Sequence, residues 1–248
     1  MTRRRRLDAE LVRRGLVTSR TEAANQIVLG RVLVNGALAD KPARQVDPGD
    51  AVVVQGPGPK YVSRGGLKLE GALDAFAIDV DGLRALDAGA STGGFTDCLL
   101  QRGAARVVAL DVGHSQLHER IRNDPRVDVY ERFNVRNLQP SDIGGPVGLV
   151  VADLSFISLR LVLPALVGAV APGDELVVLV KPQFEATRQE ASRGKGIITD
   201  PAIHERVLAE VGAAVVAAGA EVLGVVDSPI HGGDGNREFL MHARRRSA

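Results

Sequence analysis

The chain has 248 residues, 45% of them hydrophobic and 25% charged, the balance of an ordinary folded protein with room for one large domain or two smaller ones. Its longest apolar runs, such as 161–170, fall far below the roughly 20 residues of a membrane span, and its one cysteine, Cys98, excludes an internal disulfide and a cysteine-rich metal cluster. The net charge of +1 conceals a division, since residues 1–64 hold 12 Lys/Arg against 6 Asp/Glu and the remainder holds 19 against 24. Such asymmetry predicts a basic module for a polyanion attached to a body with another task, or else a basic tail that only aids solubility. The basic stretch Thr2–Arg6 is not followed by an apolar segment, so it does not read as a signal peptide, and a cytoplasmic protein is expected.

In chain order, Leu7, Leu11 and Val12 share one face of a first helix that Gly15 closes. Ser19-Arg20-Thr21-Glu22 reads as a capping box, with Glu22 reaching back to the backbone at Ser19. It opens a second helix with Ala23, Ala24, Ile27 and Val28 on its apolar face, stopped at Gly30. A strand over Val32–Val34 runs into Asn35-Gly36, a strong hairpin signal. Asp47-Pro48-Gly49-Asp50 turns the chain into a strand over Ala51–Val54. Arg3–Arg6, Arg13, Arg14, Arg20, Arg31 and Lys41 decorate this small α+β module, and the planar fork of arginine suits phosphate.

The segments Arg6-Leu7-Asp8, Gly15-Leu16, Ser19-Arg20, Gly30-Arg31-Val32, Val34-Asn35-Gly36 and Pro48-Gly49-Asp50 together resemble the alpha-L RNA-binding domain, first named from a small-subunit ribosomal protein. That resemblance implies a basic face gripping structured RNA through phosphates and shape. Arg4, Arg6, Arg20 and Lys41 are the candidate contacts, and each alone is equally well explained as a solvated surface residue. Gln55-Gly56-Pro57-Gly58-Pro59-Lys60 cannot continue helix or strand. The expected organisation is therefore an RNA-binding domain over 1–55, a linker over 56–64 and a second domain over 65–248.

From Gly65 the pattern changes. Leu69, Ala72, Leu73 and Phe76 make a helical stripe. Strands are predicted over Leu83–Asp87, Arg106–Asp111, Val127–Tyr130, Val147–Asp153, Glu175–Lys181, Ala220–Asp227 and Arg237–His242, and helices over Gly94–Arg102, Ser115–Asn123, Leu159–Val170 and Pro201–Ala218. The alternation predicts a parallel, doubly wound α/β sheet of seven strands, ending in an antiparallel pair at one edge, with ligands at the carboxyl ends of the strands.

The first of these strands ends in Asp87-Ala88-Gly89-Ala90-Ser91-Thr92-Gly93-Gly94-Phe95. Glycines admit a ligand close to backbone, and the following helix presents free N–H groups. The spacing is not the dinucleotide G-x-G-x-x-G. It resembles the loop of adenosylmethionine-dependent class I methyltransferases, which have a Rossmann-like sheet. Asp111, at the end of the next strand, is placed for ribose hydroxyls, and Asn134 lies where such enzymes hold adenine.

Asp153 and Lys181 sit where apolar strands end, and Glu238 opens the final strand. With Lys68, one turn into the preceding helix, they follow the order Lys-Asp-Lys-Glu and resemble the tetrad of FtsJ-like ribose 2′-O-methyltransferases. The segments Ser63-Arg64-Gly65-Gly66-Leu67-Lys68-Leu69, Ala152-Asp153-Leu154-Ser155-Phe156-Ile157-Ser158 and Val180-Lys181-Pro182-Gln183-Phe184-Glu185, taken with the N-terminal module, resemble the TlyA family over nearly the whole chain. The resemblance implies transfer of a methyl group from S-adenosylmethionine to cytidine 2′-hydroxyls of ribosomal RNA within ribosomal subunits, with no membrane and no obligate protein partner. Its arginine-rich extension before Leu7 implies the longer type, acting on both subunits' RNA.

Because a lysine has an ordinary pKa of about 10.4 and is charged at neutral pH, Lys181 has two open roles, proton acceptor or fixed positive charge. Arg132 and Arg136 extend the expected RNA track. Arg188, Arg193 and Lys195 lie on a segment that Gly194 and Gly196 would loosen into a lid, and His231-Gly232-Gly233-Asp234-Gly235 would admit a flipped nucleotide. His114 and His118 have the i, i+4 spacing of metal ligands but lack a third, so no metal is expected. Two rival classes remain: a nonenzymatic RNA-binding assembly factor, and a membrane-active hemolysin, a name the TlyA family also carries.

Overall fold

Leu7, Leu11, Ala23 and Ile27 point one way because helical spacing puts them there, and small strands close over them. The structure, a computed structural model, describes residues 4–28, 30–56, 60–232 and 235–247. The chain divides into two compact units at Arg64/Gly65.

In the first unit, β1 (Arg5–Arg6) leads directly into α1 (Leu7–Arg13), followed by α2 (Arg20–Val28), β2 (Val32–Val34), β3 (Ala37–Leu38), β4 (Gln45–Val46) and β5 (Val52–Val54). β2 lies between β3 and β5, all antiparallel, while β1 pairs with β4. The hairpin at Asn35-Gly36 has positive φ at both residues, 52° and 80°, as a type I′ turn demands. The β1–β4 pair was not legible in the sequence, because two arginines carry no strand pattern. The capping box differs from expectation. Ser19 Oγ accepts from Glu22 N at 3.1 Å, but the Glu22 carboxylate accepts from Thr18 N at 2.7 Å instead of Ser19. Residues 57–59 of the expected linker lie outside the described residues.

The second unit opens with α3 (Gly65–Phe76), then β6 (Arg84–Ala88), α4 (Gly94–Gln101), β7 (Arg106–Leu110), α5 (Glu119–Arg122), β8 (Val127–Tyr130) and β9 (Val147–Ala152). It continues with α6 (Leu163–Ala169), β10 (Val170–Val180), α7 (Pro182–Glu185), α8 (Arg188–Arg193), α9 (Pro201–Ala217), β11 (Ala220–Asp227) and β12 (Phe239–Arg245). The seven-stranded sheet has the order β11-β12-β10-β9-β6-β7-β8, with β12 antiparallel to both its neighbours. The order reverses between β6 and β9, and the loops that follow these two strands meet there. Strands buried on both faces explain the continuous apolar runs of Val147–Ala152 and Leu176–Val180, nearly all of them fully buried. Each such Val or Leu contributes about 1.5–3 kcal/mol by leaving water.

Several boundaries differ from the sequence reading, β10 among them, which starts at Val170 and not at Glu175. Residues 114–117 are not helical: His114 Nδ1 and Ser115 N engage the Glu131 carboxylate, each at 2.7 Å, and His118 caps α5 by accepting from Arg120 N. The two histidines therefore do not share a helix, and their metal-like spacing has no structural meaning. Pro164 lies in the first turn of α6, preceded by a short 3₁₀ turn over Leu159–Leu161, so the helix starts later than its apolar pattern suggests. Glu238 stands just before β12, one residue outside the strand it was expected to open.

Candidate active site

Asp87, one residue before the end of β6, is fully buried. Its Oδ2 accepts from Thr96 N at 2.9 Å and Thr96 Oγ1 at 2.6 Å, tying the strand end to the first turn of α4. Burial pushes this carboxyl up to about 7, opposed by the Thr96 hydrogen bonds and reinforced by the charge of Asp153. Two residues on, Gly89 has φ +87°, and a β-carbon there would stand 2.6 Å from the carbonyl oxygen of Asp153. Only glycine lets the loop pass so close to the end of β9. The turn then bends through Ser91, also at positive φ, into Gly93 and the start of α4. Ser91 N donates to Asp111 Oδ2 at 2.8 Å and Gly113 N to Oδ1 at 2.6 Å, so both oxygens of that carboxylate are fixed in place.

A cavity of about 390 Å³ opens beside this loop, within the roughly 300–1,000 Å³ of small-molecule sites. Gly89, Ser91, Asp111, Asn134 and Asp153 line its polar side; Leu110, Val112, Phe133, Leu154 and Ile157 line its apolar side. Of the expected cofactor residues, Gly89, Ser91, Asp111 and Asn134 border the cavity. Asp87, Ala90, Thr92, Gly93, Gly94 and Phe95 are not part of its wall, and several of them are buried beneath the loop. Asn134 also caps a short turn, its Oδ1 accepting from Arg136 N at 3.0 Å.

At the same edge of the sheet stand two ion pairs. Lys181 Nζ lies 2.5 Å from Asp153 Oδ1 and donates to Ser155 Oγ at 2.9 Å. Lys68 Nζ lies 2.5 Å from Glu238 Oε2. Strand register explains the meeting: Val178 pairs with Ala152 and Val180 with Phe239, so the residues just beyond these pairs, Asp153, Lys181 and Glu238, sit side by side at the strand ends. α3 brings Lys68 to Glu238. Lys68, Lys181 and Glu238 are all buried, and Gly232 leaves room for the last, since a β-carbon there would be 2.5 Å from Glu238 Oε1. A cavity at the topological switch point, with Asp153 in its wall and Lys181 paired to that carboxylate, suits a reaction in which a bound small molecule meets a polar group.

Residues 61–245 match the FtsJ-like methyltransferase family and residues 5–52 match the S4 domain. The chain is 52% identical over its full length to the 16S/23S rRNA (cytidine-2′-O)-methyltransferase TlyA of Mycobacterium tuberculosis, covering 92% of that protein. The chain belongs to the FtsJ-like methyltransferase family, in its TlyA branch. It is also 41% identical over 96% of its length to Hemolysin A of Brachyspira hyodysenteriae, covering 98% of that protein. A solved structure described as a hemolysin from Streptococcus thermophilus superposes with a TM-score of 0.80 at 43% identity, over all of this chain and 90% of that one. No helix among the described residues of this FtsJ-like methyltransferase is long and apolar enough to cross a membrane.

The S4 domain of this methyltransferase organises its arginines with buried acids. Asp8, 5% exposed, accepts from Arg6 at 2.8 Å and from Arg20 at 2.9 Å, and these contacts, Arg6 first, hold its carboxyl down at about 2. Glu10, 1% exposed, pairs with Arg13 at 2.6 Å and Arg14 at 2.7 Å and is held at about 2, chiefly by Arg13. Arg4 bridges to Asp47 at 3.2 Å, and Lys41 is exposed. Of the remaining RNA candidates in the catalytic unit, Arg132, Arg136 and Arg188 are all exposed.

The expected lid is more tied down than two glycines suggest. α8 begins with a capping box between Thr187 and Glu190, and buried Asn236 accepts from Ile198 N and donates to Gly196 O, both at 2.9 Å. Residues 233–234 of the His231–Gly235 turn lie outside the described residues. Sequence reasoning assigned no role to Val112, Gln116 or Leu154, although each follows a strand-end aspartate by one to five residues, the place where α/β sheets put ligands.

Proposed function

We propose that this chain transfers a methyl group from S-adenosylmethionine to the 2′-hydroxyl of cytidine in ribosomal RNA, in the large subunit and also the small, acting in the cytoplasm. The observation that carries the reading is the pair of ion pairs Lys68–Glu238 and Lys181–Asp153 at the strand ends, joined to the cavity through Asp153 in its wall, in a chain alike over its full length to an enzyme of that name. The residues present fit the cofactor: a fixed carboxylate at Asp111 suits two ribose hydroxyls, Val112 and Phe133 offer apolar faces for a base, and the glycine loop approaches without side chains.

The bound cofactor supplies a methyl carbon on a sulfonium. The protein's share is alignment and control of the hydroxyl. Holding reactants in line is worth on the order of 7–11 kcal/mol in favourable cases. Lys181, paired with Asp153 and Ser155, polarises the attacking 2′-oxygen as a fixed positive charge; as the oxygen–methyl bond forms and the sulfur–methyl bond breaks, the hydroxyl proton passes to solvent water. Lys68 and Glu238, paired at the strand ends beside Lys181, orient the ribose. The S4 domain supplies sequence-independent grip through its arginines, which suits RNA recognised by shape and phosphate.

Two measurements test this. Isothermal titration should show the purified protein binding S-adenosylmethionine. Incubation with labelled cofactor and ribosomal subunits should place the label on ribose. A protein that binds RNA but no cofactor would instead support the nonenzymatic assembly factor.

A further inference from the structure

Glu185 is buried in the second unit and takes no part in the Lys68, Asp153, Lys181, Glu238 group. It stands four residues after Lys181, across the single turn of α7. Its Oε1 accepts from Leu159 N at 2.6 Å and its Oε2 from Ser158 Oγ at 2.5 Å, and Arg160 Nε lies 3.4 Å away. Desolvation raises its carboxyl, and only these partners compensate the burial. Arg160 in turn donates to the Glu185 carbonyl at 3.2 Å and to Glu210 at 2.9 Å, bracing the carboxylate from the helix behind.

The segment 181–185 therefore grips the loop 153–159 at two places. Lys181 holds Asp153 and Ser155 at its start; Glu185 holds Ser158 and Leu159 at its end. Between the two grips lie Phe156 and Ile157, and Phe156 is 91% exposed at φ +63°, a conformation costly for a bulky residue. A strained backbone persists only where its surroundings over-determine it, and the two grips do so. Asp153, Leu154, Ser155, Phe156 and Ile157, held by these two grips, line the cofactor cavity as one continuous stretch of chain.

We infer that Glu185 is a positioning residue for the methyl transfer, holding the 153–159 loop in the shape that both walls the cofactor cavity and seats Lys181. This rests on the proposed function above. The test is titration of S-adenosylhomocysteine into the full-length protein and into Glu185→Ala, Glu185→Gln and Ser158→Ala, well below each variant's Tm, with kcat and the KM for ribosomal subunits measured alongside.

Glu185→Ala should weaken cofactor binding and lower kcat, each at least about tenfold, with the RNA KM within about threefold. Glu185→Gln keeps an acceptor for Leu159 N and offers Ser158 Oγ a donor instead, so it should restore binding to within about threefold. Ser158→Ala, which keeps the Leu159 bond, should shift both quantities in the same direction by less, and it carries the test if Glu185→Ala does not fold. Variants with a lowered Tm but unchanged cofactor affinity and kcat would overturn the assignment and leave the proposed function standing. Unsubstituted protein that binds no S-adenosylhomocysteine would overturn both.

Discussion

At the scale of single residues, charge and burial decide what the site does. Lys181 lies between Asp153 and Ser155, so a permanent cation should replace it better than a neutral side chain. Single-turnover methyl transfer by Lys181→Ala should fall by at least about a hundredfold, while Lys181→Arg should retain a measurable fraction with an unchanged pH profile. An arginine variant as inert as the alanine one would return the proton-accepting role to Lys181. Asp87 makes a second prediction, this time on stability. Its folded value of about 7 lies above the ordinary carboxylate range, so the folded state holds the proton more tightly and stability falls as pH rises through about 4 to 7. Asp87→Asn can still accept from Thr96 and should gain in Tm over the unsubstituted protein more at pH 8 than at pH 5; a pH-independent difference would contradict this. Asp153 and Lys181 stood out in the sequence because each follows an apolar run and Glu238 because it precedes one, whereas Lys68, inside a helix, joined them only through the resemblance. Their pairing was not legible, since Lys68 meets Glu238 across 170 residues and only the fold brings α3 to β12.

At the scale of elements, turns and caps set the geometry. The glycine loop could be read because 89, 93 and 94 fall between a strand and a helix, but the reason for Gly89 needed β9: its missing β-carbon leaves space for the Asp153 carbonyl. Gly89→Ala should therefore push on the very residue that holds Lys181, lowering cofactor affinity at least about tenfold by titration and costing roughly 1–3 kcal/mol of stability. In α1 the two buried acids oppose the module's basic character while organising it. Asp8 and Glu10 are both held at about 2, below their unfolded values, so their contribution is complete above about pH 4 and is lost as pH falls towards 2. An acid titration followed by amide exchange should show α1 of Asp8→Asn insensitive to part of that fall. A variant as acid-labile as the parent would show that the arginine pairs contribute nothing there. Helix limits at 114–117 and 159–162 were misjudged because local bonds from Glu131 and the placement of Pro164 outweigh apolar spacing.

At the scale of the whole molecule, the near-zero net charge separates into an S4 domain rich in arginine and a methyltransferase unit with a surplus of acids. The seven-stranded parallel sheet and its antiparallel edge pair followed from alternation, whereas the order of the strands and the shape of the cavity depended on contacts and loops with no periodicity to read. The division of labour gives the central claim: one unit holds ribosomal RNA by its phosphates, and the other methylates a cytidine ribose. Mapping 2′-O-methylated positions in ribosomal RNA from cells with the intact protein, cells lacking it, and cells carrying Lys181→Ala tests that claim most directly. The account predicts cytidine 2′-O-methyl marks in the first cells and their loss from both others. Identical marks in all three, or methyl groups lost from bases and not from ribose, would contradict it.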